Sequence, residues 1–542
     1  MSTSDSPRVE LQKGSNSSSG EPEILASLML GRSASALLLV GLDGQIVEYS
    51  RVEHPQPQHF HGFMALELPA LRAALTQLFV ESAAHADAVV GLLLCSERAG
   101  CHFFHSEDAL TPMLFGDGLP IPAREVPSFV EQHRYRNSVW RRLAYRDPDL
   151  SQHTPSMGTL GSWLVSELCG VQLDAVANRP LWLPTKESDE EGWRAVGLEP
   201  SRVPEWQAPC ESVGRLNAAF ARGVGWPSGL PVFVSSDPLA GLFEAFGGSP
   251  TSWVAHLSDA LSVGWSGPPE ALSGLQFSYA SAANEQDVDA TSEQERDLAA
   301  TTGVEQGRAE RSADADAQSE SAARLTEAQE NERLRVHFAP ALQSIAGVAK
   351  RRRSYRLETV GGLMHPDAAL FTAPMAALAE LVGERGRITG KMLSVVPVGS
   401  DGLRFLVSPT HGVLLGMHAG HTVVHLLRAI FEGVLMQLRL WRHSSPLDLG
   451  PLRLALGEPW SSELGQLCAD IVGEPIGLWA HEPSLAALYG LSEALAGARG
   501  MKGAQPWPRL GLEWIQPSER AAHYASLAGL YLLLTQELAA VL

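Results

Sequence analysis

The residues best placed to do chemistry lie between Gly229 and Gly248, in the run Gly-Leu-Pro-Val-Phe-Val-Ser-Ser-Asp-Pro-Leu-Ala-Gly-Leu-Phe-Glu-Ala-Phe-Gly-Gly. Leu230–Val234 is a short apolar run rich in β-branched and aromatic side chains, which predicts a buried strand. Leu239–Phe246 has helical character, and Asp237-Pro238 marks the turn between the two. A carboxylate is therefore held at a strand-to-helix turn, where α/β proteins often set catalytic groups. The same pair also reads as helix punctuation, with Asp as N-cap and Pro at the first helical position. Both readings of Asp237 stand at this point.

Other clusters of reactive types carry less. His54, His59 and His61 suggest a metal, but Glu53 is their only acidic neighbour and no regular element fixes their spacing, so they read as an exposed connector. Lys350-Arg351-Arg352-Arg353 is a basic run of the kind that usually lies on a solvated surface. Gly386-Arg-Ile-Thr-Gly390-Lys391 hints at a phosphate loop, but its glycine spacing is short and Met392 stands where a metal-binding Ser or Thr is needed. Gly223-Val-Gly225 followed by Gly229 misses the dinucleotide fingerprint by one residue, and no G-x-S-x-G elbow exists. The five cysteines include no C-x-x-C pair, which excludes a disulfide framework and a zinc ribbon and fits a reducing interior.

The elements that must position such residues are legible in stretches. Ile24–Leu30 and Ala36–Val40 read as strands, and Asp43-Gly44 turns the chain into a third, Gln45–Tyr49. Leu68–Ala83 follows as an amphipathic helix and Ala88–Cys95 as a buried strand, the opening of a ribonuclease-H-like α/β domain. Asn137–Tyr145 and Gly158–Cys169 read as helices. Further on, Leu393–Val398 and Leu403–Val407 read as strands, and Thr422–Leu440, Glu463–Val472 and Ser484–Leu495 as helices. A terminal helix from Ser518 sets Tyr524, Leu527, Tyr531, Leu534 and Leu538 on one face, as core packing requires.

Composition bounds the rest. The chain has 542 residues, enough for two to four domains. Its net charge of −20 argues against nucleic acid or an anionic membrane as partner. Part of that charge is local: Asn284–Arg335 holds fourteen acidic and six basic residues. No Phe, Trp or Tyr occurs from Ala280 to His337, which predicts a disordered acidic insertion. Residues 1–22 are Ser/Gly/Glu-rich and also read as disordered, with no signal peptide. No apolar run is long enough to span a bilayer, so the expectation is a soluble cytoplasmic protein.

Several stretches together resemble the FGGY family of carbohydrate kinases, most nearly its xylulokinase-like branch. Val213-Gly214-Arg-Leu, then Gly229-Leu-Pro-Val and Asp237, is similar to the family's approach to its catalytic aspartate. Asp401-Gly402-Leu403-Arg-Phe-Leu resembles its following strand. Gly412-Val-Leu-Leu-Gly416, leading through His421 to Arg428-Ala-Ile-Phe-Glu432-Gly433-Val434, is the best of the matches. Gly457, Ser461, Gln466, Ala469-Asp470 and Gly473 resemble the adenosine-side segment. The resemblance implies two ribonuclease-H-like (actin-like ATPase) domains with a central cleft, at 23–247 and 248–542, the second carrying the insertion at 280–337. It implies transfer of the ATP γ-phosphoryl group to a sugar hydroxyl, with Mg2+ and ATP as cofactors and a small-molecule sugar as partner; a homodimer is compatible with it. Asp237 takes the place of the base that removes the hydroxyl proton. Asp117 and Glu97 take sugar-contacting places, and Gly31, Arg32, Thr251, Ser252, Gly457 and Ser461 nucleotide-contacting ones.

The departures are as specific as the match. Where the family opens with a D-x-G-T phosphate loop, this chain reads Met29-Leu30-Gly31-Arg32, without the carboxylate or the hydroxyl. The sugar-contacting G-Q-M-H-G falls on Ser96-Glu97-Arg98-Ala99-Gly100, and the second phosphate loop on Pro250-Thr251-Ser252-Trp253. Losing a magnesium-organising carboxylate costs roughly 4 kcal/mol or more of barrier. The expectation is a kinase with eroded phosphate-binding motifs; the alternative is a catalytically inactive relative that keeps the scaffold for binding or regulation.

Overall fold

The computed structural model describes residues 23–97, 100–105, 108–115, 138–147, 149–152, 155–180, 183–184, 190–235, 238–246, 252–257, 261–267, 354–360, 403–407, 412–444, 450–456, 464–501 and 507–541. The expected disordered N-terminus, the acidic insertion at 280–337, the Leu393–Val398 strand and the Gly386–Lys391 segment lie outside these residues.

The first strands, β1 (Ile24–Leu30) and β2 (Ala34–Gly41), are apolar on both faces because both faces are covered. Asp43 and Gly44 turn the chain into β3 (Ile46–Glu53): the Asp43 carboxylate accepts from the Gln45 amide, and Gly44 takes a left-handed φ of 84°. A small hairpin, β4 (Gln58–Phe60) with β5 (Phe63–Leu66), precedes helix α1 (Leu68–Glu81). Helix α1 buries Leu71, Ala74, Leu75, Leu78 and Phe79, the stripe its spacing predicts. The chain then enters β6 (Val89–Ser96), fully inside the sheet.

A second, antiparallel sheet is built from β7 (Gly100–His105), its partner β8 (Asp108–Ala109), β9 (Met113–Phe115), β5, β4 and, after α2 (Val139–Arg146), β10 (Ser156–Thr159). The sequence reads 158–169 as one helix, but Gly158 is extended and only α3 (Leu160–Cys169) is helical. The cause is tertiary. Gly158 pairs with His102 in β7, and a Cβ there would lie 2.2 Å from the His102 ring nitrogen, so the strand needs glycine. Thr159 starts α3 with a reciprocal cap to Ser162, and Gly170 ends it at φ 78°.

A short parallel pair, β11 (Leu173–Ala175) and β12 (Glu205–Gln207), flanks α4 (Glu190–Val196). Strand β13 (Ser212–Arg215), helix α5 (Ala218–Val224), strand β14 (Pro231–Val234) and helix α6 (Pro238–Phe246) complete this half. Gly225, one of the near-miss fingerprint glycines, is the left-handed cap of α5. The main sheet runs β13-β14-β6-β1-β2-β3, with β1, β6 and β14 parallel and the remaining neighbours antiparallel.

The same plan recurs downstream. Strands β15 (Ser252–Leu257), β16 (Leu261–Gly267) and β17 (Ser354–Val360) form an antiparallel meander. After the hairpin of β18 (Arg404–Val407) and β19 (Gly412–Leu415) and the long helix α7 (Val423–Ser444), strand β20 (Leu452–Leu456) pairs parallel with β15. Helix α8 (Gly465–Val472) leads to β21 (Ile476–Trp479), parallel to β20; then come α9 (Pro483–Ala498), the antiparallel edge strand β22 (Glu513–Ile515) and α10 (Arg520–Val541). The order is β17-β16-β15-β20-β21-β22, which repeats the first sheet's β3-β2-β1-β6-β14 in order and direction; only the antiparallel edge strand differs, β22 following its neighbour in the chain where β13 precedes its own. On α10, Tyr524 and Tyr531 are buried and Leu527 and Leu534 pack behind them, as the helical spacing predicts.

Helix α9 joins the halves. It lies against β1, β2 and α6 and buries nearly its whole circumference, which is why it is apolar all round. A Cβ on Gly241 of α6 would lie 2.1 Å from the Ala487 carbonyl oxygen, and one on Gly490 of α9 would lie 1.9 Å from the Gly241 carbonyl oxygen. The two backbones therefore touch. Ser27 bonds Ser492 at 2.6 Å, Tyr49 bonds Ser484 at 2.6 Å, the Trp507 indole donates to Leu42 at 2.9 Å, and Arg499 donates to the Cys210 carbonyl.

Candidate functional site

In open α/β sheets, ligands bind outside the carboxyl ends of the parallel strands. In the first sheet those ends are Leu30 of β1, Ser96 of β6 and Val234 of β14, brought level by registers that pair Leu30 with Ser96 and Val234 with Leu94. The residues that follow them are Gly31-Arg32, Glu97 and Ser235. Three of the sequence-predicted residues, Gly31, Arg32 and Glu97, are thus brought together.

Their contacts are specific. The Glu97 amide donates to the Leu30 carbonyl at 3.0 Å, anchoring its backbone to the end of β1. Its side chain turns back, and Glu97 Oε2 accepts from the Arg32 amide at 3.0 Å. Glu97 Oε1 lies so near Gly31 that a Cβ there would sit 2.7 Å from it. A side chain there would have to displace the Glu97 carboxylate. The Gly31 amide donates to the Ala34 carbonyl at 3.0 Å.

His54 closes the other side of the turn. Its Nδ1 meets the Arg32 carbonyl at 3.2 Å, a contact in which the ring must donate. Nε2 is then the acceptor for the Ser35 hydroxyl at 2.7 Å. Burial lowers the pKa of His54 from its ordinary value, which keeps this neutral tautomer in place. The sequence reading placed His54 in an exposed connector with His59 and His61. The structure corrects it: His54 is half-buried and bonded, and His59 belongs to β4. Among the described residues no group of three or more His, Cys, Asp or Glu could hold a metal.

Beneath the end of β6 lies a buried polar bracket that sequence reasoning missed. The Asn178 side-chain amide donates to Ser96 Oγ at 3.1 Å and to Asp174 Oδ1 at 2.9 Å. Asp174 also accepts from the Ala175 amide at 2.7 Å and from the Thr159 hydroxyl. Burial raises the Asp174 pKa to about 6, against the pull of these donors. The bracket is held shut by Gly161, where a Cβ would lie 2.3 Å from Asp174 Oδ1. The one signal in sequence was the cap pattern at Thr159 and Ser162.

The other predicted residues fall elsewhere. Asp237, Asp117, Thr251, Gly457 and Ser461 lie outside the described residues. Ser252 opens β15. The parallel register pairs Trp253 with Leu452 and Leu257 with Leu456, so Ser252 stands at the start of the strand, on the edge opposite the carboxyl ends of β20 and β21. The connection at the carboxyl end of β15, residues 258–260, also lies outside the described residues.

Among the described residues at the first carboxyl edge, no group of three or more His, Cys, Asp or Glu gathers to hold magnesium. Glu97 is the carboxylate beside the turn, and its oxygens face the Arg32 amide and Gly31. Nor do they offer a phosphate the Arg32 amide, which already has an anion on it.

The architecture has close counterparts among solved structures. The chain superposes on ligand-bound xylulose kinase from Lactobacillus acidophilus with a TM-score of 0.58 and 13% identity, over 95% of this chain and 98% of that one. It matches xylulose kinase from Rhodospirillum rubrum with a TM-score of 0.58 and 15% identity, over 96% and 99%. It matches the Plasmodium falciparum glycerol kinase with ADP with a TM-score of 0.58 and 12% identity, over 95% and 98%. No protein-family model and no curated protein matches the sequence. The described residues therefore form a mixed α/β fold like that of these sugar kinases. No helix among the described residues is long and apolar enough to cross a membrane.

Proposed function

We propose that this chain is a divergent carbohydrate kinase of the FGGY type, moving the γ-phosphoryl group of ATP to a hydroxyl of a small sugar in the cytoplasm. The observation that carries the reading is the likeness to a solved xylulose kinase at a TM-score of 0.58 over 95% of this chain, beside two six-stranded sheets of nearly the same order. On this reading each sheet is the centre of a ribonuclease-H-like domain, 23–247 and 248–542, and the sugar and nucleotide meet in the cleft between them. The sugar oxygen attacks the γ-phosphorus, the bond to ADP breaks, and the hydroxyl proton passes to a carboxylate. Asp237, in the connection from β14 to α6, is our candidate for that carboxylate. Asp117 and Glu97 are candidates for the sugar side, and Gly31, Arg32, Gly457 and Ser461 for the nucleotide side; Ser252, on the edge opposite the carboxyl ends, is not retained.

The kinase family uses magnesium, for which the described residues gather no group of three or more His, Cys, Asp or Glu. The test is ADP release with ATP and magnesium against a panel of pentoses, hexoses and alditols. Turnover of at least one sugar, abolished by Asp237→Asn, is expected. Absence of turnover across the panel, with no thermal shift at millimolar nucleotide, would overturn the reading and leave a binding scaffold.

A further inference from the structure

We propose that residues 507–509 form a strap that fastens helix α9 to the first half, so that the second sheet turns against the rest of the molecule on two short links. The device is independent of the kinase reading. In the chain, α9 and the strap lie between β21 and β22, two strands of the second sheet. Their contacts run the other way. Glu482, just before α9, faces Arg51 of β3 at 3.8 Å. Ser484 bonds Tyr49 of β3, and Ser492 bonds Ser27 of β1. Past the end of α9, Arg499 donates twice to the Cys210 carbonyl, at 2.9 Å and 2.6 Å, and its guanidinium lies 4.9 Å from the ring centre of Phe233 in β14.

The strap extends that attachment. The Trp507 side chain is 2% exposed, and its indole donates to the Leu42 carbonyl in the β2–β3 turn at 2.9 Å. Gly44 makes the seat: a Cβ there would lie 2.7 Å from Trp507 Cγ and 3.0 Å from Pro508 Cδ. The Pro508 carbonyl accepts from the Tyr489 hydroxyl of α9 at 2.8 Å. Arg509 donates to the Glu244 carbonyl of α6 at 2.6 Å and to the Glu493 carboxylate of α9 at 2.9 Å. Only then does the chain rejoin the second sheet, where Leu512 lies against Gly477 of β21 and β22 begins at Glu513. From Glu482 to Arg509 the chain is therefore fastened to the first half and to α6, and the links left are 480–481 and 510–512. Glu513 pairs with Leu478, so both links enter the second sheet side by side, at the carboxyl end of β21. Two neighbouring links of this kind define one hinge line. Three residues span at most about 11 Å, whereas the thirteen from Gly500 to Leu512 would span up to about 45 Å if the strap let go. Trp507 and Arg509 thus keep the hinge short. The remaining crossing, 247–251 between α6 and β15, lies outside the described residues.

The test measures spin-label distances in the full chain. Cys169, half-buried where the other four cysteines are buried, is first replaced by serine. Labels go on cysteines at the exposed Val80 of α1 and Leu533 of α10, and at Gly497 of α9, where nothing lies within 4 Å of a Cβ. The α1–α9 pair should give one narrow distance in every variant. The α1–α10 pair should give a distribution at least about twice as wide in the double variant Trp507→Ala, Arg509→Ala as in wild type. Thermal melts check that the double variant folds. If it does not, Arg509→Ala and Trp507→Phe are read singly; the second keeps a ring over Gly44 and gives up only the hydrogen bond to Leu42. An α1–α10 distribution no wider than wild type in the double variant, or in both single ones where they replace it, overturns the strap. An α1–α9 distribution that widens together with α1–α10 overturns it too, because α9 would then travel with the second sheet. No substrate enters these measurements, so neither outcome depends on sugar turnover.

Discussion

Two glycines on one helix give opposite predictions. Gly490 of α9 faces α6, where an added Cβ would lie 1.9 Å from the Gly241 carbonyl oxygen and 2.6 Å from the Ala245 amide nitrogen. Ordinary contact begins at 3.4 Å, so Gly490→Ala requires the helices to part by about 1.5 Å. Neither obstacle is a side chain that can rotate away. Overpacking costs about 1–3 kcal/mol, and backbone against backbone belongs at the upper end. At about 2–4 °C per kcal/mol for a half of this size, the melting temperature should fall by about 6–12 °C. Gly497, two turns further along the same helix, has nothing within 4 Å of its Cβ position. There alanine gains its helix propensity, about 1 kcal/mol, and the melting temperature should rise by about 2–4 °C. Far-UV circular dichroism melts of the two variants beside wild type decide it. A Gly490→Ala melt within about 2 °C of wild type, or two variants moving in the same direction, would refute the backbone contact.

Two further perturbations test the buried polar groups. Asp174 has its pKa raised from 3.8 to about 6 by burial, so the folded state holds a proton that the unfolded chain has released. Its contribution is complete below about pH 4 and is lost as pH rises through about 6. The stability of Asp174→Asn relative to wild type, from urea titrations, should therefore improve by up to about 3 kcal/mol across that window, and a gap independent of pH would contradict it. In the second half, Arg428 donates to Glu432 at 2.8 Å, and the Tyr524 hydroxyl donates to the same oxygen at 2.6 Å, with both charges 1% exposed. Glu432→Leu leaves a buried guanidinium without its counter-charge and should lose about 3–5 kcal/mol, most of it recovered by adding Arg428→Met. A single variant as stable as the double one would show that the pair is not coupled.

Much of this architecture was legible because its elements are decided locally. The apolar runs of β1, β2 and β6, the Asp43-Gly44 turn and the stripe on α1 each name their own structure. What stayed hidden depends on distant partners. Gly158 looks like a helix start and becomes strand because His102 needs its missing side chain. His54 looks like one of three loose histidines until folding sets it between Ser35 and the Arg32 carbonyl. The bracket of Asp174, Asn178 and Ser96 joins residues 78 and 82 apart from β6 in the chain, which no spacing rule reaches.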